Sequence, residues 1–374
     1  MSGGKAPLVL IAAGGTGGHL FPAEALAGAL AKRGIAIELA TDRRAAPYTR
    51  KFPARAVHVL PAATVRGSNP LILARTALVL GFGTLEALML LLRRRPAAVI
   101  GFGGYPTLAP LLAASLLCKP TLIHESNAVM GRANRWLAGR VSAIATGHSG
   151  LLAGDDRLTR RTTHVGNPVR PAVTEAAAKP FVAPAASEPF RLVVFGGSQG
   201  ARVMSEAVPA AIERLAPAAR ARLRVTQQCR EEDLEDVRGI YRRLDVPAEL
   251  ARFFRDMPAR IADAHLVIAR AGASTVAEIA AIGRPAVLVP LPHAIDQDQL
   301  ANASALAAAG GALLIREDEF SPDRLAAEIG RLMAAPATLS IVAASSRRVG
   351  RLDAAERLAD LGLRVAGLTR EDRR

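Results

Sequence analysis

The chain has 374 residues, the length of two ordinary domains, and 50% of them are hydrophobic, which excludes a disordered protein or a small disulfide scaffold. Its 48 Lys and Arg residues outnumber its 33 Asp and Glu residues, and the net charge of +15 favours phosphorylated substrates, anionic lipid or nucleic acid as partners. Aromatic residues are only 4%, which argues against a base-stacking platform, and two distant cysteines, Cys118 and Cys229, do not make a zinc site.

Short apolar runs alternate with longer helical patterns along the chain. This alternation predicts an α/β protein with parallel sheets and helices on both faces. The predicted strands are 8–12, 35–40, 97–101, 121–124 and 142–146 in the first half, and 191–195, 223–227, 265–269, 286–290 and 312–315 in the second.

A first glycine loop, residues 14–19 (GGTGGH), follows the first predicted strand and opens a helix. Glycines at this position let backbone N–H groups approach an anionic ligand. The spacing excludes the GxxxxGK[ST] phosphate loop and departs from GxGxxG. His19 is expected where the helix begins, and a helix N-terminus favours the neutral imidazole that can act as a base. A histidine that only hydrogen-bonds the turn is the alternative.

Residues 71–92 come nearest to a membrane span in length. Arg75 and Glu86 lie inside this segment, and charges are costly in hydrocarbon. The remaining alternatives are a buried helix and an exposed apolar patch. Arg66 before the segment and the arginines at 93–95 after it favour the patch, because basic residues strengthen binding to an anionic bilayer. We expect a cytosolic protein that lies on the membrane surface.

Two further motifs follow predicted strands in the first half. Residues 101–107 (GFGGYPT) again place glycines after a strand, which predicts a tight turn or a close backbone approach. His124, Glu125, Ser126 and Asn127 come at the end of the next strand, where open α/β sheets bind ligands. His124 and Glu125 could also bind a metal, but the sequence shows no second pair of ligands at a suitable spacing.

The segment 172–190 is rich in alanine and proline and interrupts the alternation of strands and helices. We expect it to link an N-terminal domain at 1–171 to a C-terminal domain at 191–350. The helical pattern at 351–364 is expected to pack back on the N-terminal domain, and 365–374 is expected to form a tail.

A second glycine loop, residues 196–200 (GGSQG), follows the first strand of the second half and matches the GxSxG motif of serine hydrolases around Ser198. The residues that would complete a hydrolase triad are His265 or His293 with Asp256, Asp263 or Asp296. A phosphate-binding loop explains the glycine loops of both halves at once, and we favour it.

Residues 270–278 (RAGASTVAE) follow another predicted strand, and a helix is expected to begin near Ser274. The N–H groups at its start suit a pyrophosphate, and Glu278 is placed to hold a ribose. However, Thr275 and Glu278 also have the spacing of a capping box, which would use the carboxylate structurally. Residues 296–298 (DQD) resemble a metal-binding DxD, a pattern so common by chance that we assign no metal to it.

Together these motifs resemble one family, the MurG glycosyltransferases of bacteria, in the same order through both halves of the chain. The matching stretches are GGTGGH (14–19), GFGGYPT (101–107), HESNAVMGRANRWLA (124–138), GNPVR (166–170), FGGSQGAR (195–202), RDMP (255–258), RAGASTVAEIAAIGRPAVLVPLP (270–292) and DQLANA (298–303).

The resemblance implies the type B glycosyltransferase fold (GT-B), two Rossmann-like domains with doubly wound parallel sheets facing across a cleft. It implies an inverting transfer of N-acetylglucosamine (GlcNAc) from uridine diphosphate-GlcNAc (UDP-GlcNAc) to the muramoyl 4-hydroxyl of undecaprenyl-pyrophosphoryl-MurNAc-pentapeptide, in peptidoglycan synthesis. It also implies a peripheral protein on the cytoplasmic face of the inner membrane, docked through its first domain, with no metal, no cofactor and no nucleic-acid partner.

The resemblance also assigns roles to residues of both halves. Those expected to border the donor and acceptor phosphates are Thr16, Gly17 and Gly18. Those expected to contact the nucleotide sugar are Asn127, Arg170, Ser198, Gln299 and, through its backbone at the uracil, Phe254. Those expected to surround the pyrophosphate and base are Ala273, Ser274, Thr275, Val276 and Ala277, with Glu278 on the ribose. The expected general base is His19, with Glu125 as the second candidate.

Three alternatives remain open. Another GT-B transferase or a UDP-sugar epimerase would share the donor site of the second domain. A GxSxG serine hydrolase rests on the second glycine loop alone, and a nucleic-acid-binding protein rests on the net charge alone.

Overall fold

The computed structural model describes residues 6–15, 17–50, 52–63, 69–197, 200–292, 294 and 296–369. The chain divides into two compact units: the first is Met1–Arg170 with Asp353–Arg374, and the second is Pro171–Leu352. Each unit is built around one sheet, and the two sheets have closely similar strand orders.

Thirteen strands form the two sheets of the described chain. Those of the first unit are β1 (Leu8–Ala12), β2 (Ala36–Thr41), β3 (Ala56–Val59), β4 (Ala98–Gly101), β5 (Thr121–Glu125), β6 (Ala143–Thr146) and β7 (Thr162–His164). Those of the second unit are β8 (Phe190–Phe195), β9 (Leu223–Gln228), β10 (Ala248–Ala251), β11 (Leu266–Ala269), β12 (Ala286–Leu288) and β13 (Ala312–Leu314).

The α-helices alternate with these strands. In the first unit, the helices that precede β7 are α1 (Gly17–Ala31), α2 (Pro70–Arg94), α3 (Leu108–Leu116), α4 (Arg132–Ala138) and α5 (Asp156–Thr159). Those of the second unit are α6 (Pro171–Ala176), α7 (Arg202–Arg214), α8 (Pro217–Ala221), α9 (Leu234–Arg243), α10 (Met257–Asp263), α11 (Ala273–Ile282), α12 (Asp298–Ala308), α13 (Pro322–Met333) and α14 (Pro336–Val349). The chain returns to the first unit in α15 (Ala354–Val365).

Both sheets are parallel throughout, as the alternation of strands and helices predicts. The order is β3-β2-β1-β4-β5-β6-β7 in the first unit and β10-β9-β8-β11-β12-β13 in the second. In each sheet the chain moves outward from its first strand to one edge, then crosses back to the other side of that strand. The two central strands that flank this reversal are β1 and β4 in the first unit and β8 and β11 in the second.

The ten strands predicted from apolar runs are all present within one or two residues of their expected ends. The strands that the sequence did not indicate are β3, β7 and β10, and each of them is an edge strand. Their side chains are partly exposed, so they do not form the continuous apolar run of a strand buried on both faces. Three of the four edge strands of the described sheets therefore escaped a prediction based on hydrophobicity, whereas the fourth, β13, is made of apolar residues and was predicted.

Alternate side chains of β1 enter two separate cores, one on each face of the first sheet. Val9 and Ile11 pack with the residues of α1 and α15, whereas Leu10 and Ala12 pack with those of α2 and α3. Ion pairs fix α15 in place: Arg33, in the turn that follows α1, contacts Glu356 at 2.7 Å and Asp360 at 2.8 Å. The C-terminal helix is thus part of the first unit.

The segment 172–190 begins inside α6 and belongs to the second unit. Its middle part is held by Arg284, whose guanidinium donates to the backbone oxygens of Lys179 (2.9 Å) and Ala262. Arg284 is only 1% exposed, and burial lowers its pKa to about 10. A buried cation that is satisfied by carbonyl oxygens anchors this segment firmly to α10.

Candidate functional site

The four glycine-containing motifs lie at the carboxyl ends of the central strands of the two sheets. In the first unit, residues 14–15 follow β1 and residues 102–104 follow β4. In the second unit, residues 196–197 follow β8 and Gly272 follows β11. These strand pairs flank the points where the strand order reverses, which is where open α/β sheets bind ligands. Each unit therefore carries one candidate ligand site.

The first glycine loop is held by Asp42, which directly follows the neighbouring strand β2. The backbone N–H of Gly15 donates to Oδ1 of Asp42 at 3.0 Å, and Nε of Arg44 donates to Oδ2 at 2.9 Å. Asp42 is 4% exposed. Asp42 was not among the residues predicted from the sequence, although a polar side chain at the carboxyl end of a predicted strand is the signal that would have found it.

The imidazole of His19 lies against the turn that follows β4. Helix α1 begins at Gly17, so His19 is in its first turn, as predicted, and Gly17 and Gly18 are its first two residues; Thr16 is outside the described residues. A Cβ on Gly104 would lie 3.3 Å from Nδ1 and Cε1 of His19, and Gly104 has φ +72°. Only glycine allows this close approach without strain.

The carboxylate of Glu125 lies at the centre of a hydrogen-bonded loop. Its Oε1 accepts from the backbone N–H and side-chain amide of Asn127 (2.9 and 3.2 Å). Its Oε2 accepts from the backbone N–H of Gly131 (3.0 Å) and the amide of Asn134 (2.8 Å). With 3% exposure and four donors, Glu125 shapes the loop 126–131. Asn134 was not singled out from the sequence.

His124 is wholly buried beside this loop. Its Nε2 donates to the backbone oxygen of Gly166 at 3.0 Å, and the hydroxyl of Ser126 donates to its Nδ1 at 3.2 Å. Burial lowers the pKa of His124 to about 4, so the ring is neutral near pH 7. Both ring nitrogens are thus used within the fold, which gives His124 a structural place rather than a metal-binding one.

Arg170 ends the first unit, and its guanidinium lies 4.1 Å from the ring centre of Phe21 on α1. This cation–π contact places a charged group beside the helix that carries His19. Arg170 therefore lies beside α1, the helix that carries His19 and follows the first glycine loop.

The second glycine loop is tightly packed where it leaves β8. A Cβ on Gly196 would lie 2.3 Å from the backbone nitrogen of Ala201, so no other residue fits there. Ser198 and Gln199 are outside the described residues, as is His293. The alternative triad partner, His265, precedes β11 and pairs with Arg191 at the amino end of the sheet (Nδ1 to the backbone N–H, 3.1 Å). His265 is therefore at the wrong end of the sheet for a hydrolase.

Helix α11 begins at Ala273 with Gly272 as its N-cap residue. Thr275 is consequently the third residue of the helix and not its cap, so the capping box with Glu278 is wrong. The reason is that the tight glycine turn lets the helix start three residues earlier than the Thr275 pattern indicates. Residues 273–277 form the first turns of α11, and Glu278 is 8% exposed one turn further on.

The other predicted donor residues lie on neighbouring elements of the second unit. Phe254 is 6% exposed, with the guanidinium of Arg260 4.3 Å from its ring centre, so its side chain faces the interior. Gln299, on the first turn of α12, accepts through Oε1 from the backbone N–H of Leu291 at 3.1 Å. Asn302, one turn later, donates to the backbone oxygen of Ala271 at 3.2 Å and joins α12 to the start of α11.

Helix α2 has two apolar faces. Ala87 and Leu91 are fully buried in the core of the first unit, so the helix packs on the sheet. The opposite side, which we call the α2 outer face, is exposed at spacings of three and four residues. Its members are Leu78, Phe82, Leu85, Met89 and Leu92. By length and composition, Ala74–Arg94 is the one unbroken helix in the described part of the chain that is apolar enough to cross a membrane.

The arginines at 93–95 do not all belong to the exposed patch. Arg94 contacts the carboxylate of Glu38 on β2, and Glu38 is wholly buried. Arg66 is outside the described residues. Among the described residues of the predicted basic flank, Arg93 and Arg95 are exposed, whereas Arg94 is engaged by Glu38. Within the described ranges, no group of three or more His, Cys, Asp or Glu side chains is placed to hold a metal ion.

Comparisons with known proteins agree with this architecture. The chain is 60% identical over 364 residues, 97% of each chain, to a UDP-N-acetylglucosamine–N-acetylmuramyl-(pentapeptide) pyrophosphoryl-undecaprenol N-acetylglucosamine transferase of Rhodopseudomonas palustris (strain BisB18). Its structure resembles that of Acinetobacter baumannii MurG with a TM-score of 0.78 and 27% identity, over 96% of this chain and 99% of that one. It also resembles a UDP-N-acetylglucosamine 2-epimerase (TM-score 0.67, 13% identity, 98% of each chain), which shows a shared fold.

Two parallel-sheet units with glycine loops at their switch points define the GT-B class of nucleotide-sugar enzymes, as predicted. The chain belongs to glycosyltransferase family 28: the N-terminal domain of the family matches residues 9–146 and its C-terminal domain matches residues 191–358. The resemblance to the MurG glycosyltransferases is thereby confirmed.

Proposed function

We propose that the chain transfers GlcNAc from UDP-GlcNAc to undecaprenyl-pyrophosphoryl-MurNAc-pentapeptide, the step that completes the disaccharide of the peptidoglycan precursor. The observation that carries the proposal is 60% identity along 97% of the chain to a transferase named for this reaction. The glycine loops at the switch points of both units supply the phosphate-binding geometry that such a reaction needs.

We assign the donor to the second unit. A pyrophosphate suits the start of α11, because the first backbone N–H groups of a helix point out of its end and the positive end of the helix dipole favours an anion. Glu278 follows the first turn of this helix and is 8% exposed, and it is assigned to the ribose. As the bond from the anomeric carbon to UDP breaks, negative charge grows on the pyrophosphate, and these donors stabilise it.

We assign deprotonation of the acceptor to His19. The 4-hydroxyl oxygen attacks the anomeric carbon with inversion, its proton passes to the imidazole, and UDP leaves with the electron pair of the broken bond. General-base catalysis of this kind typically contributes ~10²–10⁴-fold in rate. Glu125 accepts four hydrogen bonds within its own loop, which supports a positioning role for it and favours His19 as the base.

We further propose that the protein docks peripherally on the cytoplasmic face of the inner membrane through the α2 outer face. Leu78 and Phe82, the first two residues of this face, are each 65% exposed, which is unusual for large apolar side chains on a helix that also packs on a sheet. Arg93 and Arg95 at its end would contact anionic headgroups, each adding about 1 kcal/mol to binding.

A donor screen tests the proposed substrate. Calorimetric titration with UDP-GlcNAc, its galacto and glucose analogues, and UDP alone should show binding of UDP-GlcNAc and UDP, with weaker binding of the other sugars. Binding of no uridine nucleotide, or equal binding of all the sugars, would contradict the assignment. Conversion of UDP-GlcNAc without any acceptor would instead favour the epimerase alternative.

A further inference from the structure

The side chain of Gln228 joins two backbone segments of the second unit that carry the proposed donor site. Gln228 is the last residue of β9 and is 5% exposed. Its Oε1 accepts from the backbone N–H of Gly196 at 3.2 Å, and its Nε2 donates to the backbone oxygen of Gly197 at 2.9 Å. The same Nε2 donates to the backbone oxygen of Arg252 at 3.1 Å.

The chemistry of an amide suits this position. It accepts and donates at once without carrying a charge, so it satisfies both an N–H group and two carbonyl oxygens beside a site for an anion. Residues 196 and 197 have no side chains of their own with which to fix the loop. A Cβ on Gly196 would lie 2.3 Å from the backbone nitrogen of Ala201, so a side chain at this position would displace the loop.

Asp42 occupies the corresponding place in the first unit. It follows β2, the neighbour of β1, just as Gln228 ends β9, the neighbour of β8. Asp42 accepts from Gly15 and from Arg44, whereas Gln228 binds the glycine loop and a second segment, two residues before Phe254. In the second unit, therefore, the residue that holds the loop also connects it to the segment assigned to the base.

We propose that Gln228 is a positioning residue for the nucleotide donor: it sets the second glycine loop and residues 252–254 at the separation that a uridine diphosphate requires. This inference rests on the proposed function, because it takes the diphosphate and uracil as the groups that the two segments bind. Gln228 also holds the oxygens of Gly197 and Arg252, dipole ends that would repel a diphosphate if they turned toward it.

Gln227 provides a matched control. It is wholly buried and precedes Gln228 in β9, so its side chain points to the opposite face of the sheet. Its Oε1 accepts from the hydroxyl of Tyr241 at 2.6 Å and its Nε2 donates to the backbone oxygen of Met204 at 3.3 Å. Replacing Gln227 thus removes a buried amide of the same strand without touching the glycine loop.

The test compares Gln228→Met and Gln227→Met, since methionine is close to glutamine in size. Calorimetry gives the dissociation constants of UDP and UDP-GlcNAc, steady-state assays give KM for donor and acceptor, and thermal unfolding without ligand gives Tm. We expect Gln228→Met to raise the donor dissociation constant and donor KM by about ten-fold, the equivalent of roughly 1.4 kcal/mol. Its acceptor KM should stay at the wild-type value. Gln227→Met should lower Tm at least as much while donor affinity stays normal.

A third variant, Gln228→Glu, keeps the acceptor for Gly196 but sets a carboxylate against two carbonyl oxygens. It should weaken UDP binding more than Gln228→Met does. Equal donor affinity in wild type and Gln228→Met, or equal loss in both methionine variants, would overturn the positioning role. Failure of the wild type to bind either nucleotide would instead refute the proposed function, so the two failures are distinguishable.

Discussion

The guanidinium of Arg94, at the end of α2, contacts the carboxylate of Glu38 in the middle of β2. Arg55 and His58 also reach this carboxylate, at 2.8 and 2.9 Å, and Glu38 is wholly buried. Burial alone would raise the pKa of Glu38, but the hydrogen bonds from Arg94, His58 and Arg55 outweigh it and lower the pKa from 4.5 to about 2. This cluster ties the helix that bears the apolar outer face to the sheet.

We predict that Glu38 makes the protein sensitive to acid. Because its pKa is lower in the folded than in the unfolded protein, its stabilising effect is complete above pH 4.5 and is lost as the pH falls toward about 2. Glu38→Gln should lower the free energy of unfolding at pH 7 by on the order of 2 kcal/mol, allowing for the half-exposed arginines. Urea unfolding at several pH values measures this.

Glu86→Gln, an exposed carboxylate on α2, is the control for the change in charge. The unfolding free energy of wild type and Glu86→Gln should fall between pH 5 and pH 3 more steeply than that of Glu38→Gln. Parallel curves for all three proteins would show that the Glu38 cluster does not couple folding to protonation.

The membrane prediction concerns Arg93 and Arg95 but not Arg94, because losing Arg94 would leave the buried Glu38 short of a partner. Replacing Arg93 and Arg95 by Gln should weaken binding to vesicles that contain anionic lipid by about ten-fold or more at low salt, at about 1 kcal/mol per residue. The matched control replaces Arg242 and Arg243, two exposed neighbours at the end of α9 in the second unit. Vesicle co-sedimentation in which both double variants bind alike would remove the docking surface.

His19→Ala should lower kcat by about 10²–10⁴-fold while the dissociation constant of UDP-GlcNAc stays within about two-fold of wild type. Gly104→Ala should also lower kcat, because its Cβ would lie 3.3 Å from the imidazole at a φ of +72°. Single-turnover kinetics with saturating donor measure both. Wild-type turnover in His19→Ala would show that another group removes the proton.

Glu125→Gln separates the two candidate bases. The amide nitrogen of the new glutamine is a donor and would face two of the four donors that now bind the carboxylate. The loop 126–131 should therefore lose order, and the free energy of unfolding should fall. If His19 is the base, the pH dependence of the remaining kcat should keep its wild-type shape. Loss of the acidic limb of that profile in Glu125→Gln alone would transfer the role to Glu125.

Glu278→Ala should raise the donor dissociation constant, because Glu278 is assigned to the ribose, remote from the reacting carbon. Thr275→Ala tests where the same helix begins. Replacing an N-cap threonine by alanine lowers the free energy of unfolding by about 1 kcal/mol, whereas replacing the third residue of α11 should lower it much less. Chemical unfolding of Thr275→Ala and calorimetry of Glu278→Ala provide the two readouts. Unchanged donor affinity in Glu278→Ala would contradict its assignment.

The sequence was sufficient for the buried strands and the glycine loops, because both leave strong local signals. It was insufficient for β3, β7 and β10, whose half-exposed side chains resemble those of loops. Asp42 and Gln228 each stand at the end of a predicted strand, which marks them as candidates, but which loop each of them holds depends on which strands are neighbours in the sheet. Likewise Arg94 looked like part of a basic surface until the fold brought it to Glu38.

The transfer reaction itself tests the central claim most directly. Purified protein is incubated with UDP-GlcNAc labelled in the sugar and with undecaprenyl-pyrophosphoryl-MurNAc-pentapeptide in detergent, and the lipid fraction is analysed by mass spectrometry. We predict that the acceptor gains one GlcNAc in β-linkage to its 4-hydroxyl and that one UDP is released for each sugar transferred. Release of UDP without labelled lipid, or label in the lipid at a different hydroxyl, would contradict the account.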